Sequence, residues 1–102
     1  MYQSEADALI AANDLNAALV KTRDALAIDP ESHEAMQKQI KVLFQMNNEK
    51  ESVRLVDEAI KKYPGEAGYY YLRGLINNSR EKYSRAIEDY TSAIEINPSD
   101  LL

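Results

Sequence analysis

The sequence predicts an all-α fold, an α-solenoid of three helix-turn-helix repeats, and two observations lead to that prediction. The first is a fixed period: the three prolines of the 102-residue chain, Pro30, Pro64 and Pro98, stand 34 residues apart. A constant spacing in this range is typical of stacked helical arrays. The second is that apolar residues recur at helical intervals between the prolines, which indicates two amphipathic helices in each unit. We therefore expect six antiparallel helices in one array over residues 1–102.

The second helix of each repeat has the clearest pattern. In the third repeat the apolar residues fall at i, i+3, i+4, i+7, i+10 and i+11, which forms one stripe along an α-helix. These residues are Tyr83, Ala86, Ile87, Tyr90, Ala93 and Ile94. Stretches 49–60 and 15–26 carry the same spacing one and two periods earlier, respectively. Each of these helices should end just before its proline, because proline cannot continue a helix.

The first helix of each repeat is predicted around residues 2–10, 36–44 and 70–77. In the third repeat we expect its apolar stripe at Tyr70, Gly74, Leu75 and Asn77. Asn13-Asp14 and Asn47-Asn48 should separate the two helices of the first two repeats, because Asn tolerates the left-handed conformation of a tight turn. The corresponding residue in the third repeat is Glu81. Glutamate is poorly suited to that conformation, so the sequence predicts mild strain there.

Small and aromatic residues at fixed places in the units resemble a known family. The third unit has an aromatic residue followed by Arg-Gly and then by small, aromatic and proline positions, at Tyr70, Arg73, Gly74, Ala86, Tyr90, Ala93 and Pro98. This pattern resembles the tetratricopeptide repeat, with repeats roughly at 1–32, 33–66 and 67–100. The resemblance implies a right-handed superhelix whose inner surface is lined by the first helix of each pair. It also implies a non-catalytic scaffold that docks proteins or peptides.

The resemblance places the peptide-binding groove on the inner helices of the second and third repeats. The groove residues it implies are Gln37, Lys38, Lys41, Phe44, Gln45, Tyr71, Leu75 and Asn78. Stretch 33–64 has a charge of +1, whereas 1–32 has −4 and 65–102 has −2. This locally positive region could attract an acidic or carboxylate-bearing segment. Lys38 and Lys41 could equally be ordinary solvated residues of a helix.

A second hypothesis assigns the chain a structural role in oligomerisation. Repeat stacks need terminal units with polar outer faces. The last predicted helix should leave apolar side chains partly uncovered, at Tyr83, Ile87, Tyr90 and Ile94. Either the array continues in a longer protein, or this end of the chain is a contact surface that leads to self-association.

Composition argues against several other classes. A net charge of −5 and a pI of about 4.8 argue against a nucleic-acid partner. No apolar stretch approaches the roughly 20 residues of a membrane span. No signal peptide is visible, so the compartment stays open between the cytoplasm and, after removal of a signal, the periplasm. Without cysteine and with His33 as the single histidine, we expect no enzyme, no metal site and no cofactor.

Overall fold

The computed structural model describes the backbone of residues 2–98 and the side chains of residues 14–98. All regular elements in that range are helical, which confirms the all-α prediction. They are α1 (Tyr2–Ile28), α2 (His33–Gln45), α3 (Glu49–Lys62), α4 (Ala67–Ser79) and α5 (Tyr83–Ile96). The chain divides into two compact units, one ending at Asn48 and the other starting at Glu49.

The first helix differs from the prediction. α1 runs unbroken for 27 residues, so the turn expected at Asn13-Asp14 is not formed and the described residues contain five helices instead of six. Eight of the 27 residues are alanine, the strongest helix former, and none is glycine or proline. Asn and Asp in a helix interior each cost only a few tenths of a kcal/mol relative to good helix formers, so the alanines outweigh them.

The first unit consists of α1 packed against α2. α2 begins after Ser32, whose Oγ accepts a hydrogen bond from the backbone N–H of Ala35 at 3.2 Å, as an N-cap residue does. The side chains that this unit buries are Leu19 and Thr22 on α1 and Ala35, Ile40, Val42 and Leu43 on α2. The hydroxyl of Thr22 is satisfied locally, because it donates to the carbonyl of Leu19 at 2.9 Å.

In the second unit, α4 contacts both α3 and α5. Its fully buried aromatic residue is Tyr69, and Leu72, Gly74 and Ile76 are buried with it. Of the predicted stripe on this helix only Gly74 is buried, because Tyr70, Leu75 and Asn77 are half-buried. Gly74 allows a close approach, since a Cβ atom at this position would lie 2.6 Å from Cε1 of Tyr90.

The turns within the second and third repeats share one geometry. Asn47 has φ 63° and Glu81 has φ 62°, both in the left-handed region. In each turn the next residue closes the helix end: Asn48 N–H donates to the Leu43 carbonyl at 2.9 Å, and Lys82 N–H donates to the Asn77 carbonyl at 2.8 Å. Glutamate in this conformation carries the strain that the sequence predicts.

Candidate protein-binding surfaces

The predicted groove residues of the second repeat lie along one side of α2, and we call Gln37, Lys38, Lys41, Phe44 and Gln45 the α2 surface. Residues three and four apart are neighbours on a helix, so the two lysines and Phe44 form a continuous row. Both lysines and Gln45 are exposed, whereas Gln37 and Phe44 are half-buried. Neither lysine forms an ion pair with another side chain of residues 14–98.

The predicted groove residues of the third repeat lie on α4, and we call Tyr71, Leu75 and Asn78 the α4 surface. Their i, i+4, i+7 spacing places them on one helix face. Tyr71 is 40% exposed, and its ring centroid lies 5.8 Å from that of Tyr90. Leu75 is half-buried and Asn78 is exposed. The α2 surface belongs to the first unit of the chain and the α4 surface belongs to the second.

The apolar residues predicted as an end-face contact divide into two groups. Tyr83, Ile87 and Ile94 are exposed along α5, with Ile87 at 65%. Tyr90 instead turns its ring toward Gly74 and Tyr71 on α4 and is half-buried there. Burial raises the pKa of Tyr90 above its ordinary value of 10.0, and the neighbouring Tyr71 adds to that shift.

A network around the buried carboxylate of Asp89 and the guanidinium of Arg73 links the three helices of the second unit, and sequence reasoning missed it. Asp89 on α5 is 5% exposed and accepts hydrogen bonds from Arg73 Nη2 and Asn77 Nδ2, both at 2.8 Å. Arg73 also donates to Asp57 on α3 at 3.2 Å. The hydrogen bond to Asp89 raises the pKa of Arg73, which therefore stays charged. A charged residue beside Ala86 and Tyr90, on the apolar side of the helix, was the available signal.

The network lies beside a cavity of about 400 Å³ whose lining includes the cations of Arg80, Lys82 and Arg85. All of its lining residues belong to the second unit. Arg80 is in an ion pair with Glu49 at 3.6 Å. Because Arg73 is ion-paired with both Asp89 and Asp57, we interpret this network as a structural ion-pair cluster.

The first unit contains an open groove of about 470 Å³ between α1 and α2, which we call the α1–α2 groove. Small residues and four charged residues line it: Asp14, Ala17, Ala18, Lys21, Thr22, Ala25, Ser32, Glu34, Ala35 and Lys38. Ala17 and Ala25 are exposed although they lie on the groove side of α1. This groove was not predicted, because the turn expected in α1 would fill the space beside it.

Two further findings concern catalysis and membranes. Among the described residues, no group of three or more His, Cys, Asp or Glu side chains could hold a metal ion. His33 is the first residue of α2 and is half-buried. No helix within the described part of the chain is both long enough and apolar enough to cross a membrane.

Comparison with known families shows to which family the chain belongs. Two family models described as tetratricopeptide repeat match it, one over residues 67–100 and the other over residues 9–76, which is more than half of the sequence. The chain belongs to the tetratricopeptide repeat family. The tetratricopeptide repeat is generally a non-catalytic scaffold for protein interactions, and that is the general role the matches indicate.

Among solved structures, this tetratricopeptide repeat chain is similar to MamA, residues 41 to the end, from Desulfovibrio magneticus RS-1. The TM-score is 0.65 and the sequence identity is 24%, over 89% of this chain and 51% of that one. The chain therefore spans about half the length of its structural neighbour, and the likeness is one of fold. No curated protein matches the sequence.

Proposed function

We propose that the chain is a docking scaffold that binds a carboxylate-bearing peptide or protein segment through the α2 surface. The observation that carries the proposal is the row formed by Lys38, Lys41 and Phe44. Two exposed ammonium groups without an ion-pair partner among residues 14–98 precede the half-buried ring of Phe44 along one side of α2. The chain has a net charge of −5, but this positively charged row attracts anions locally.

The α2 surface has the composition of a peptide-binding site. An exposed lysine–carboxylate pair contributes about 0.2–1 kcal/mol, so the lysines set orientation and selectivity more than affinity. Apolar contact with the Phe44 ring has to supply much of the remaining affinity, because aromatic residues dominate interface energetics. The α4 surface, in the second unit, exposes Tyr71, an aromatic residue of the kind that dominates interface energetics.

The test is capture of binding proteins from a lysate of the source organism, with three versions of the chain. The first is the unaltered chain, and the second is Lys38→Glu/Lys41→Glu. The third, Lys50→Glu/Lys61→Glu, makes the same change of charge at exposed positions on α3. We expect a captured protein to be lost from the α2 variant and kept by the α3 variant. Its binding segment, made as a peptide, should then bind the α2 variant at least about tenfold more weakly.

Equal loss in both variants would show an effect of net charge alone and would contradict a specific α2 surface. Retention by both would contradict it too. Tyr71→Ala, measured separately, tests the α4 surface, because this substitution removes an aromatic ring without any change of charge.

A second candidate function, structural oligomerisation through α5, is favoured by the exposed Tyr83, Ile87 and Ile94. Three large apolar side chains on one helix form a patch of the kind that mediates contacts between proteins. Its test is the molar mass of Ile87→Glu in sedimentation. If α5 forms the contact, the unaltered chain is an oligomer and this variant is a monomer.

A further inference from the structure

The α1 side of the α1–α2 groove corresponds to the face of α5 that α4 covers in the third repeat. Four groove residues on α1 correspond, two periods later, to residues of α5 that face α4: Ala18, Lys21, Thr22 and Ala25 correspond to Ala86, Asp89, Tyr90 and Ala93. On α5, the packing of α4 leaves Ala86 2% exposed and Ala93 0% exposed. On α1, Ala18 is half-buried and Ala25 is exposed. In the first repeat this helix face is therefore only partly covered: Thr22 is buried at 3% exposed, whereas Lys21 and Ala25 are exposed.

The residues at these positions indicate what fits the groove. In the third repeat, Gly74 leaves space for the ring of Tyr90. Two periods earlier the corresponding residues are Ala6 and Thr22, so a smaller side chain on α1 is matched by a larger residue in segment 2–12. The complementary sizes indicate that segment 2–12 is the sequence for which the groove is shaped.

The charges of segment 2–12 and of the groove are also complementary, which is a second and independent argument. The ion pair between Arg73 and Asp89 in the third repeat corresponds to Glu5 and Lys21 in the first. Both signs are reversed, so the pair stays complementary. Lys21 lines the groove, is exposed, and has no ion pair with another side chain of residues 14–98. A copy of segment 2–12 in the groove would bring a carboxylate to this ammonium group.

Because α1 is unbroken, only segment 2–12 of another copy can enter the α1–α2 groove. Segment 2–12 belongs to the same unbroken helix as the groove-lining residues of α1. A helix advances 1.5 Å per residue along its axis, so its first half cannot lie beside its own second half without a turn. Since the structure has no turn at Asn13, the segment that matches the groove extends away from it.

We propose that two copies of this chain exchange residues 2–12, so that each copy fills the α1–α2 groove of the other. The two 27-residue helices then run antiparallel, with the two-fold axis near Asn13 and Asp14. Such an exchange reuses the contacts that a repeat makes within one chain, and it closes at a dimer because both grooves are filled. This interface is separate from the exposed side of α5.

The first experiment measures molar mass by light scattering, with two matched variants. The unaltered chain should have twice the mass of one copy, and Ala25→Glu, which puts a charge in the groove, should be a monomer. Ala27→Glu makes the same substitution on the same helix at an exposed position outside the groove and should stay a dimer. Circular dichroism checks that Ala25→Glu is folded, as its exposed position leads us to expect. A monomer at every concentration overturns the proposal, and so does a dimer that Ile87→Glu abolishes and Ala25→Glu does not.

The second experiment distinguishes exchange from folding back within one chain. The sequence has no cysteine, so Ala6→Cys and Ala18→Cys can be made as separate single variants and mixed under oxidising conditions. Exchange predicts a disulfide between the two variants, and a mixture of Ala6→Cys with Ala27→Cys should cross-link far less. In a double variant with both cysteines, exchange gives linked dimers. Disulfides found only within single chains would show that segment 2–12 folds back and would overturn the proposal.

Discussion

The first and third repeats carry the same pattern but pair their helices differently. In the third repeat, α4 and α5 are joined by a tight turn at Glu81 and by direct links between Asp89, Arg73 and Asn77. In the first repeat the corresponding residues run on as one helix. A pattern of small and apolar residues therefore specifies which helix faces can pack. Whether the chain turns to bring them together depends on the turn residues and on links across the pair.

The largest contrast between the repeats should appear at Asp89 and its counterpart Lys21. Asp89→Ala leaves the half-buried Arg73 without its main partner and should lower the free energy of unfolding by about 3 kcal/mol. Lys21→Ala, at an exposed side chain, should lower it by less than about 1 kcal/mol. Urea denaturation followed by circular dichroism measures the helices of both units, and tyrosine fluorescence separates the second unit, which contains six of the seven tyrosines. Equal losses would show that the network does not set the third repeat apart.

A pH-dependent loss of stability should be specific to the second unit. Burial raises the pKa of Tyr69 to about 12, and the neighbouring Tyr63 and Glu66 add to the shift. In the unfolded chain the pKa is close to 10, so the folded state holds the proton more tightly. Stability is therefore unaffected below pH 10 and falls by about 2–3 kcal/mol as the pH rises to 12. Denaturation at pH 9 and pH 12 measures the loss, and Tyr69→Phe should reduce it.

The close approach of α4 to α5 gives an intermediate effect. Gly74→Ala places a Cβ atom 2.6 Å from the Tyr90 ring and should cost about 1–2 kcal/mol, after the gain in helix propensity is included. Gly74→Ala/Tyr90→Thr recreates the residue pair of the first repeat. If size matching governs this position, Tyr90→Thr costs less in the Gly74→Ala background than alone, and a double-mutant cycle measures the difference. Simple additivity would contradict the matching.

The smallest effect on the free energy of unfolding is expected at the turns, where glycine replaces the corresponding residues of the third and first repeats. Glu81→Gly removes a side chain from a left-handed residue and should raise the free energy of unfolding by about 0.5–1 kcal/mol. Asn13→Gly lies inside α1 and should weaken that helix by a few tenths of a kcal/mol, because glycine is a poorer helix former than asparagine. Thermal unfolding followed by circular dichroism compares the two variants. A lower melting temperature for Glu81→Gly would contradict the strain at this turn.

Patterns in the sequence were enough to predict the all-helical fold, the family, and the turns at Asn47 and Glu81. Periodic apolar residues and prolines act locally, so a single chain reveals them. It also indicated the side of α5 on which Ile87 and Ile94 are exposed. The placement of the α2 and α4 surfaces as one binding groove stays a prediction, because it depends on contacts between elements distant in the sequence.

Only the tertiary structure decided that Tyr69, rather than Tyr70, is the buried aromatic residue of α4, and that Asp89 belongs to the core. Both outcomes depend on what faces each residue. Asp89 can be buried because Arg73 and Asn77, on another helix, donate hydrogen bonds to it. The unbroken α1 has a different, local origin: the turn signals at Asn13 and Asp14 are weak, and alanine-rich stretches on both sides favour a continuous helix. Local sequence therefore set where helices form, and contacts across helix pairs set which residues they bury.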